Sequence, residues 1–446
     1  MTQPDILNLL QDLVDAARAA GADAADAVAA DGASVSHGWR LGKTERLERS
    51  EEADLGLRVF VGRRQAIAST TDRSPRALRD LADRAVAMAR AVPEDPHAGL
   101  ADPDQIARAI PQPDMADPVE PAPETLIARA QAAEEAALAV AGVTNSEGAE
   151  ASWSRSDIAI VASNGFAGHY GRTYHALSVS VLAGTGTAME RDYDHSVAVH
   201  AEDLDDPVAL GRNAGERAVR RLDPRKIKSC QVPVVYDPRI SGGLLGHLAG
   251  AISGAAIARG TSFLKDMLGK PLFADGVSVV EDPLRPRGLA TKPFDGEGLP
   301  TRRKTVIDGG TLTTWLLDLR SARQLGLKST GNAARGASSP PSPSASNLWM
   351  EAGPTGRDAM IGAIGQGLYV TELIGMGVNG VTGDYSRGAA GFWIENGELT
   401  HPVSEVTVAG NLKTMFRQLT PADDLEFRRT INAPTVRIDG MTIAGN

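Results

Sequence analysis

One stretch near the middle of the chain, residues 236–263, restricts the possible folds more than any other. It reads YDPRISGGLLGHLAGAISGAAIARGTSF and follows a strand-like run at residues 232–236. After a turn at residues 237–238, apolar side chains recur at helical spacing on one face. They are Leu244, Leu245, Leu248, Ile252 and Ala255. This spacing predicts a buried helix over residues 242–258, around which the rest of the C-terminal region is organised.

Four glycines interrupt this predicted helix, namely Gly243, Gly246, Gly250 and Gly254. Each glycine costs roughly 1 kcal/mol relative to alanine in a helix interior. The repeated cost indicates that some group approaches the helix backbone closely. Packing within the chain is the simpler interpretation.

The stretch resembles the central helix of the TldD/PmbA family of peptidase-complex proteins, whose catalytic subunit carries His-Glu-x-x-x-His there as a zinc site. Here the helix has only His247, and Leu248 follows it where a general-base glutamate would be needed. Residues 250–253 read Gly-Ala-Ile-Ser, without a second histidine. Because a catalytic zinc needs about three protein ligands, one imidazole cannot hold it. The resemblance is therefore to the PmbA (TldE) side of the family, the subunit without the metal motif.

A longer match lies nearer the C-terminus. Residues 371–399, TELIGMGVNGVTGDYSRGAAGFWIENGEL, and residues 406–415, VTVAGNLKTM, resemble the late segment of PmbA-type proteins. The resemblance spans most of residues 230–446 and, more weakly, the first 220 residues. Within it, GMGVNG at residues 375–380 also matches the dinucleotide pattern G-x-G-x-x-G. In a dinucleotide site a helix follows this pattern, and its N-terminus faces the pyrophosphate. The residues that follow here lack the apolar spacing of a helix, which argues against nucleotide binding.

Composition excludes several classes of function. A net charge of -10 argues against a nucleic-acid surface, which would need a basic stripe. No run of 18 apolar residues is present to span a bilayer. The single cysteine, Cys230, excludes an internal disulfide, and the first 20 residues lack the basic segment of a signal peptide. We expect a cytoplasmic protein that binds neither nucleic acid nor a membrane.

The order of helix-like and strand-like runs predicts an α+β fold in four regions. We expect an N-terminal α+β domain at residues 1–92, a proline-rich connector at 93–123 and a middle α+β region at 124–228. A mainly antiparallel β domain at 229–446 should surround the glycine-rich helix. Turn signals predict hairpins at three places. They are Asn164-Gly165, Asp308-Gly309-Gly310 and Asn396-Gly397.

Two shorter segments also carry predictions. The proline- and serine-rich run Ser338–Asn347 reads SSPPSPSASN and predicts a mobile loop, because it offers almost no apolar surface for packing. The last residues, 433–446, alternate in polarity as in an edge strand.

No catalytic or metal-binding residue is assigned from the sequence. Six residues are candidates for contact with a substrate or partner: His247, Gly375, Gly377, Asp384, Ser386 and Arg387. Asp384 and Arg387 are three residues apart, which indicates either a structural ion pair across a turn or a clamp for a peptide carboxylate. The pair is the simpler interpretation. Three polar runs are further candidates, at residues 190–195, 281–283 and 383–388.

The resemblance implies a non-catalytic subunit that acts with a TldD-type zinc peptidase on unfolded or modified peptides. Zinc is then expected in the partner subunit, with no cofactor in this chain. The chain would limit access to the zinc and present sheet edges to an extended peptide. Two alternatives stay open: a homodimeric peptide-binding protein without catalysis, and an autonomous hydrolase that needs no metal. The sequence does not distinguish a heterodimer from a homodimer.

Overall fold

Six strands from the first half of the chain form one antiparallel sheet in the computed structural model, which describes residues 3–445. They are β1 (Ala24–Arg40), β2 (Lys43–Val61), β3 (Arg64–Thr70), β4 (Val143–Ala162), β5 (Ala167–Ala183) and β6 (Glu190–Ala198). The sheet order is β3-β2-β1-β4-β5-β6. Because β1 pairs with β4, the regions 1–92 and 124–228 share a single sheet. The hairpin predicted at Asn164-Gly165 joins β4 to β5.

Four helices cover one face of this sheet. They are α1 (Gln3–Ala19), α2 (Pro75–Ala91), α3 (Pro123–Leu138) and α4 (Pro207–Arg220). The apolar stripes of α1 and α2 pack on β1–β3 and the end of β4, and those of α3 and α4 pack on β1, β4 and β5. The start of α2 has residues typical of a helix N-terminus, since the Ser74 hydroxyl accepts from Ala77 N and Pro75 occupies the first helical position.

The opposite face of the sheet is covered by the connector and by loops of the C-terminal domain. All of residues 92–122 are described, and none of them lies in a helix or strand. Phe294 packs edge-on against Phe166 and Tyr170, with ring centroids 5.0 and 5.2 Å away. The two halves of the chain therefore share a packed apolar contact.

The C-terminal half contains a barrel. Its strands are β7 (Cys230–Tyr236), β14 (Gln366–Ile374), β15 (Asp384–Glu395), β16 (Glu398–Asn411) and β19 (Val436–Ala444). Each strand pairs with the next in the order β7-β14-β15-β16-β19, and β19 returns to β7, so the ring closes. The short strand β17 (Leu419–Pro421) also pairs with β19. The prediction of an edge strand at residues 433–446 is wrong, because β19 has pairing partners on both sides.

A second sheet packs beside the barrel. Its strands, in spatial order, are β10 (Thr311–Leu312), β9 (Lys304–Asp308), β8 (Val279–Glu281), β13 (Leu348–Met350) and β18 (Ile431–Asn432). The remaining helices are α5 (Pro238–Ala251), α6 (Gly254–Ala258), α7 (Leu319–Leu325), α8 (Arg357–Gly362) and α9 (Leu412–Arg417). Most strand pairs are antiparallel, which confirms the predicted α+β class with a mainly antiparallel C-terminal domain.

The central helix is interrupted where one continuous helix was expected. Helix α5 ends at Ala251, and α6 restarts at Gly254. The break allows Gly254 N to donate to Leu316 O at 2.8 Å, so a neighbouring segment replaces the helical bond. The apolar face is as predicted, with Leu244, Leu245 and Leu248 buried in the barrel core.

The segment Ser338–Asn347 packs more than its composition indicates. A two-residue strand, β12 (Ser342–Pro343), pairs with β11 (Ala333–Ala334). Ser346 is buried and donates to the buried Glu281 carboxylate through both its backbone N–H and its hydroxyl, at 2.7 and 2.9 Å. Hydrogen bonds from this serine thus hold the segment in place, which the small number of apolar residues in the segment does not indicate.

A buried ionic cluster joins the N-terminal sheet to the C-terminal domain. Asp26 on β1 accepts from Arg58 on β2 and from Arg335, whose Nη1 lies 2.7 Å from Asp26 Oδ1. The Arg58 Nη1 atom lies 3.6 Å from Glu297 Oε1. The side chains of all four residues are at most 4% exposed. Burial raises the pKa of Glu297 to about 8, although the Arg58 charge opposes this shift.

This cluster predicts a pH-dependent stability. Between pH values of about 4.5 and 8, folded Glu297 keeps a proton that the unfolded chain releases. Its contribution to the free energy of unfolding is therefore full at low pH and is lost as the pH rises through this window. We compare the free energy of unfolding of Glu297→Gln with that of the wild type at each pH. The difference in favour of the variant should be larger at pH 8 than at pH 5 by roughly 2 kcal/mol or more. Urea unfolding measures both proteins at both pH values. The same difference between variant and wild type at pH 5 and at pH 8 would contradict the prediction.

Candidate functional site

A cleft of about 810 Å³ opens over the glycine side of α5. It is lined by parts of β6 and α4 from the N-terminal half, and by the start of α8 and residues 423–432 from the C-terminal half. The lining residues include Gly242, Gly243, Gly246, Asp194, His195, Arg217, Arg239, Arg357, Asp358, Asp423, Arg428 and Arg429. Its volume lies within the range of about 300–1,000 Å³ that is usual for ligand sites.

Three glycines of α5 leave a bare backbone surface, which faces the cleft at Gly243 and Gly246. No heavy atom lies within 4 Å of the positions that Cβ atoms would take at Gly243, Gly246 and Gly250. At Gly254, by contrast, a Cβ would lie 2.4 Å from Ser321 Oγ. Packing within the chain therefore explains Gly254 but not the other three glycines, and the interpretation made from the sequence is wrong for them.

The start of α5 is fixed by an ion-pair network. Arg239 donates to Asp192 at 2.8 Å and to Asp237 at 3.3 Å. Asp237 caps the helix by accepting from Arg239 N, and it also accepts from the Tyr369 hydroxyl at 2.8 Å. Burial, followed by the Asp237 charge, raises the pKa of Tyr369. These contacts tie α5 to β6 and β14 and hold the glycine surface in place.

The free edge of β6 borders the cleft, but side chains occupy its backbone groups. The N–H of Tyr193 donates to Asp192 Oδ1 at 2.8 Å, and the N–H of His195 donates to Asp194 Oδ1 at 3.0 Å. Arg217 Nη1 donates to the carbonyl of Tyr193 at 3.4 Å. This edge is therefore closed to strand addition at residues 193–195, so the expected presentation of a sheet edge does not hold here.

His195 contributes a neutral imidazole to the cleft. Burial lowers its pKa, and the nearby Arg429 charge lowers it further. Its Nδ1 is shielded from solvent and has no hydrogen-bond partner among the described residues. Because its pKa lies below the ordinary value, the ring is uncharged at pH 7.

The six predicted candidates lie apart from this cleft. His247 projects from α5 toward Tyr385, whose ring centroid is 6.0 Å away. The other five lie at the connection between β14 and β15. There Ser386 N donates to Gly377 O at 2.7 Å, and a Cβ on Gly377 would lie only 1.9 Å from Ser386 O. Gly375 has a φ of +81°, so the turn at this position favours glycine.

Asp384 and Arg387 do not form the expected ion pair. Asp384 accepts from the Thr382 hydroxyl at 2.6 Å and from Asn411 Nδ2 at 3.1 Å. Arg387 donates to the Ile374 carbonyl at 3.3 Å. The turn prediction fails because both residues belong to β15, where positions three apart point to opposite faces of the strand.

His247 does not fit a zinc site. Burial lowers its pKa, and the Arg387 charge lowers it further, so a cation already lies near the ring. Its neighbours on the helix, Gly246 and Leu248, carry no donor side chain. Within residues 3–445 there is no group of three or more histidine, cysteine, aspartate or glutamate side chains placed to hold a metal ion.

The loop of residues 374–383 exposes large apolar side chains. Ile374, Met376 and Val381 are 60%, 93% and 58% exposed. The loop is held in place, since Phe263 N donates to the Gly380 carbonyl at 3.0 Å and Val378 packs against the barrel core. Exposed apolar groups on a fixed loop are typical of a protein-contact surface.

The sequence pattern indicated only part of the cleft. The acidic run at residues 190–195 contributes Asp194 and His195, whereas the run at 281–283 is structural, because buried Glu281 pairs with Lys304 Nζ at 2.8 Å. Arg357 and Arg429 were missed. No local motif marks them, since their cleft neighbours come from segments far away in sequence.

Among the described helices, none is both long and apolar enough to cross a membrane.

Comparison with known proteins covers almost the whole chain. Residues 25–89 match the model of PmbA/TldA metallopeptidase domain 1, residues 116–222 match the central domain, and residues 229–445 match the C-terminal domain. The chain is 41% identical over 414 residues to Metalloprotease PmbA of Escherichia coli O157:H7, covering 92% of this chain and 90% of that protein. It is 37% identical over 438 residues to the Metalloprotease PmbA homolog of Haemophilus influenzae, covering 97% and 94%.

Solved structures agree with these matches. A crystal structure of a Bacteroides thetaiotaomicron protein superposes with a TM-score of 0.91 at 28% identity and covers 98% of both chains. The crystal structure of TldE from Thermococcus kodakarensis has the same fold, with a TM-score of 0.87 at 20% identity over 98% of this chain and 100% of that one. The chain therefore belongs to the PmbA/TldD metallopeptidase family, among its PmbA members.

Proposed function

We propose that this chain is the non-catalytic, PmbA/TldE-like subunit of a cytoplasmic zinc peptidase complex whose TldD-type partner holds the zinc. The surface of α5 carries the proposal. The resemblance places the zinc motif of the catalytic subunit on this helix, yet here Gly243, Gly246 and Gly250 leave open space beside a single histidine, His247. The activated water and the Lewis acid of peptide hydrolysis would then come from the partner.

The contribution of this chain is to bind and position an unfolded or modified peptide. A bare glycine surface lets a peptide main chain approach the helix more closely than any side chain would allow. The cleft of about 810 Å³ is large enough for several residues of an extended segment. Holding the substrate affects the rate by fixing its orientation, which requires no catalytic group in this chain.

The contact with the partner is assigned to the 374–383 loop. Burying Met376, Ile374 and Val381 against another subunit removes apolar surface from water, which favours association. The loop is anchored to the barrel, so little conformational entropy is lost when it docks.

Each subunit should be tested alone and then mixed. We expect this chain alone not to cleave an unstructured peptide, and a mixture with a TldD-type protein to show cleavage that a chelator abolishes. In sedimentation experiments Met376→Asp should weaken the complex more than tenfold, because a charge would be buried in the contact. Val119→Asp is the matched control, since Val119 is 63% exposed on the connector.

Other outcomes would favour the alternatives. Chelator-insensitive cleavage by this chain alone, after removal of contaminating proteases, would indicate the autonomous hydrolase. A stable dimer of this chain that binds peptide but ignores the TldD-type protein would indicate the homodimeric peptide-binding protein.

A further inference from the structure

Two arginines in the cleft differ from the others in having no acidic partner. Five arginines line the cleft: Arg217, Arg239, Arg357, Arg428 and Arg429. Three of them, Arg217, Arg239 and Arg428, each form an ion pair with at least one aspartate. The side chains of Arg357 and Arg429 form no ion pair and donate no hydrogen bond within residues 3–445.

Arg357 is the deeper of the two. It is half-buried at the first position of α8, and its guanidinium carbon lies 5.0 Å from the centroid of the Tyr369 ring. Its Nε is shielded from solvent and lacks an acceptor. The two Nη groups also have no acceptor among the described residues but are not shielded, so they are the donors that a ligand in the cleft can reach. The Tyr369 ring restricts the plane of the guanidinium before any ligand arrives.

Arg429 contributes a second positive charge from another part of the chain. Its backbone is fixed because Arg429 N donates to Asn432 Oδ1 at 2.9 Å, while its side chain is exposed. Arg429 lines the same cleft as His195 and Arg357, so its charge faces the same space.

The cleft also contains acidic groups, which restrict the kind of ligand. Six acidic residues line it. Asp194 and Asp237 pair with arginines and Asp424 accepts from the Thr435 hydroxyl, whereas Asp358, Asp423 and Glu426 are exposed, so water and salt screen their charges. A small free anion would meet these carboxylates as well as the arginines. A peptide that places one carboxylate beside the half-buried Arg357 and lays its main chain over the glycine surface suits the arrangement better.

We infer that Arg357, assisted by Arg429, forms a subsite for a carboxylate of the bound peptide. A guanidinium can donate two parallel hydrogen bonds to a carboxylate, and such charge-assisted bonds are stronger than neutral ones. This inference rests on the proposed function, because it assumes that the cleft binds peptides. The carboxylate belongs either to the C-terminus of the peptide or to an acidic side chain.

The test compares three labelled, unstructured peptides by fluorescence anisotropy with the full chain. One has a free C-terminus and no acidic residue, the second is the same peptide amidated, and the third is amidated with an internal glutamate. We expect at least one of the carboxylate-bearing peptides to bind about tenfold more tightly than the amidated neutral one. Preference for the first peptide identifies the C-terminus, and preference for the third identifies a side chain.

Variants connect this preference to the two arginines. Arg357→Gln should remove most of the preference, and Arg429→Gln should reduce it. Because the Arg429 side chain makes no contact that stabilises the fold, its variant keeps the test valid even where Arg357→Gln folds poorly. Arg79→Gln on α2, also exposed, removes the same charge outside the cleft and should leave binding unchanged.

Failure of the inference can be separated from failure of the proposed function. Equal binding of all three peptides, unaffected by either cleft variant, would overturn the carboxylate subsite and leave peptide binding intact. Absence of binding to any of the peptides, by this chain alone and in the mixture with a TldD-type protein, would overturn both.

Discussion

Replacing Asp26 with alanine is expected to destabilise the chain by about 3–5 kcal/mol, which is a large part of the stability of a typical domain. The carboxylate is 2% exposed and accepts from both Arg58 and Arg335. Removing it leaves two buried guanidinium groups close together, with Glu297 as their remaining acidic neighbour. The nearby charges of both arginines lower the pKa of Asp26 against the effect of burial, so the carboxylate is ionised at neutral pH.

A matched control lies on the same strand. Asp31 also pairs with an arginine, Arg73, but its side chain is 32% exposed. Water can replace the lost partner there, so Asp31→Ala should cost less than about 1 kcal/mol. Chemical denaturation of both variants at pH 7 measures the difference. Similar losses in the two variants would contradict the assignment of Asp26 as the charge that joins the two halves of the chain.

Elements set by local chemistry could be predicted from the sequence. Hairpins form at Asn164-Gly165 and Asn396-Gly397, where Gly165, Asn396 and Gly397 adopt the positive φ that these turns need. The apolar face of α5 followed from helical spacing alone. The α+β class followed from the order of such elements along the chain.

Features that depend on distant contacts could not be predicted. The barrel contains a parallel pair between β7 and β14, whose paired residues Val234 and Leu368 are far apart in sequence. The break before Gly254 depends on Leu316 O, which replaces the helical acceptor. Neither contact can be recognised from a local pattern, because the sequence around each partner does not indicate which distant segment it contacts.

The glycines of α5 show why the site itself was only partly predicted. The sequence indicated that a group approaches the helix, but it could not distinguish a neighbour in the chain from open space. Gly254 meets Ser321, whereas Gly243 and Gly246 face the cleft. The charges of the cleft come from five separate segments, so Arg357 carried no signal of its own.

This contrast between packed and open glycines leads to the second large effect. Gly246→Leu should fold at least as well as the wild type, because the Cβ position is open and leucine is favoured over glycine in a helix by up to about 1 kcal/mol. The leucine side chain would nevertheless extend into the cleft. If the peptide main chain lies on this surface, binding should weaken by more than about tenfold, which anisotropy with an unstructured peptide would measure.

Two further glycines on the same helical stretch separate filling of the cleft from changes in the helix. Gly250→Leu also meets open space but does not line the cleft, so it should keep peptide binding. Gly254→Leu should unfold at lower denaturant concentration, because its Cβ would lie 2.4 Å from Ser321 Oγ and 2.6 Å from Leu317 Cδ2. Unchanged binding in Gly246→Leu would show that the peptide does not cross the glycine surface. Equal losses of peptide affinity in Gly246→Leu and Gly250→Leu would show instead that binding depends on the whole exposed side of α5. That result is expected if a partner subunit covers this side of the helix.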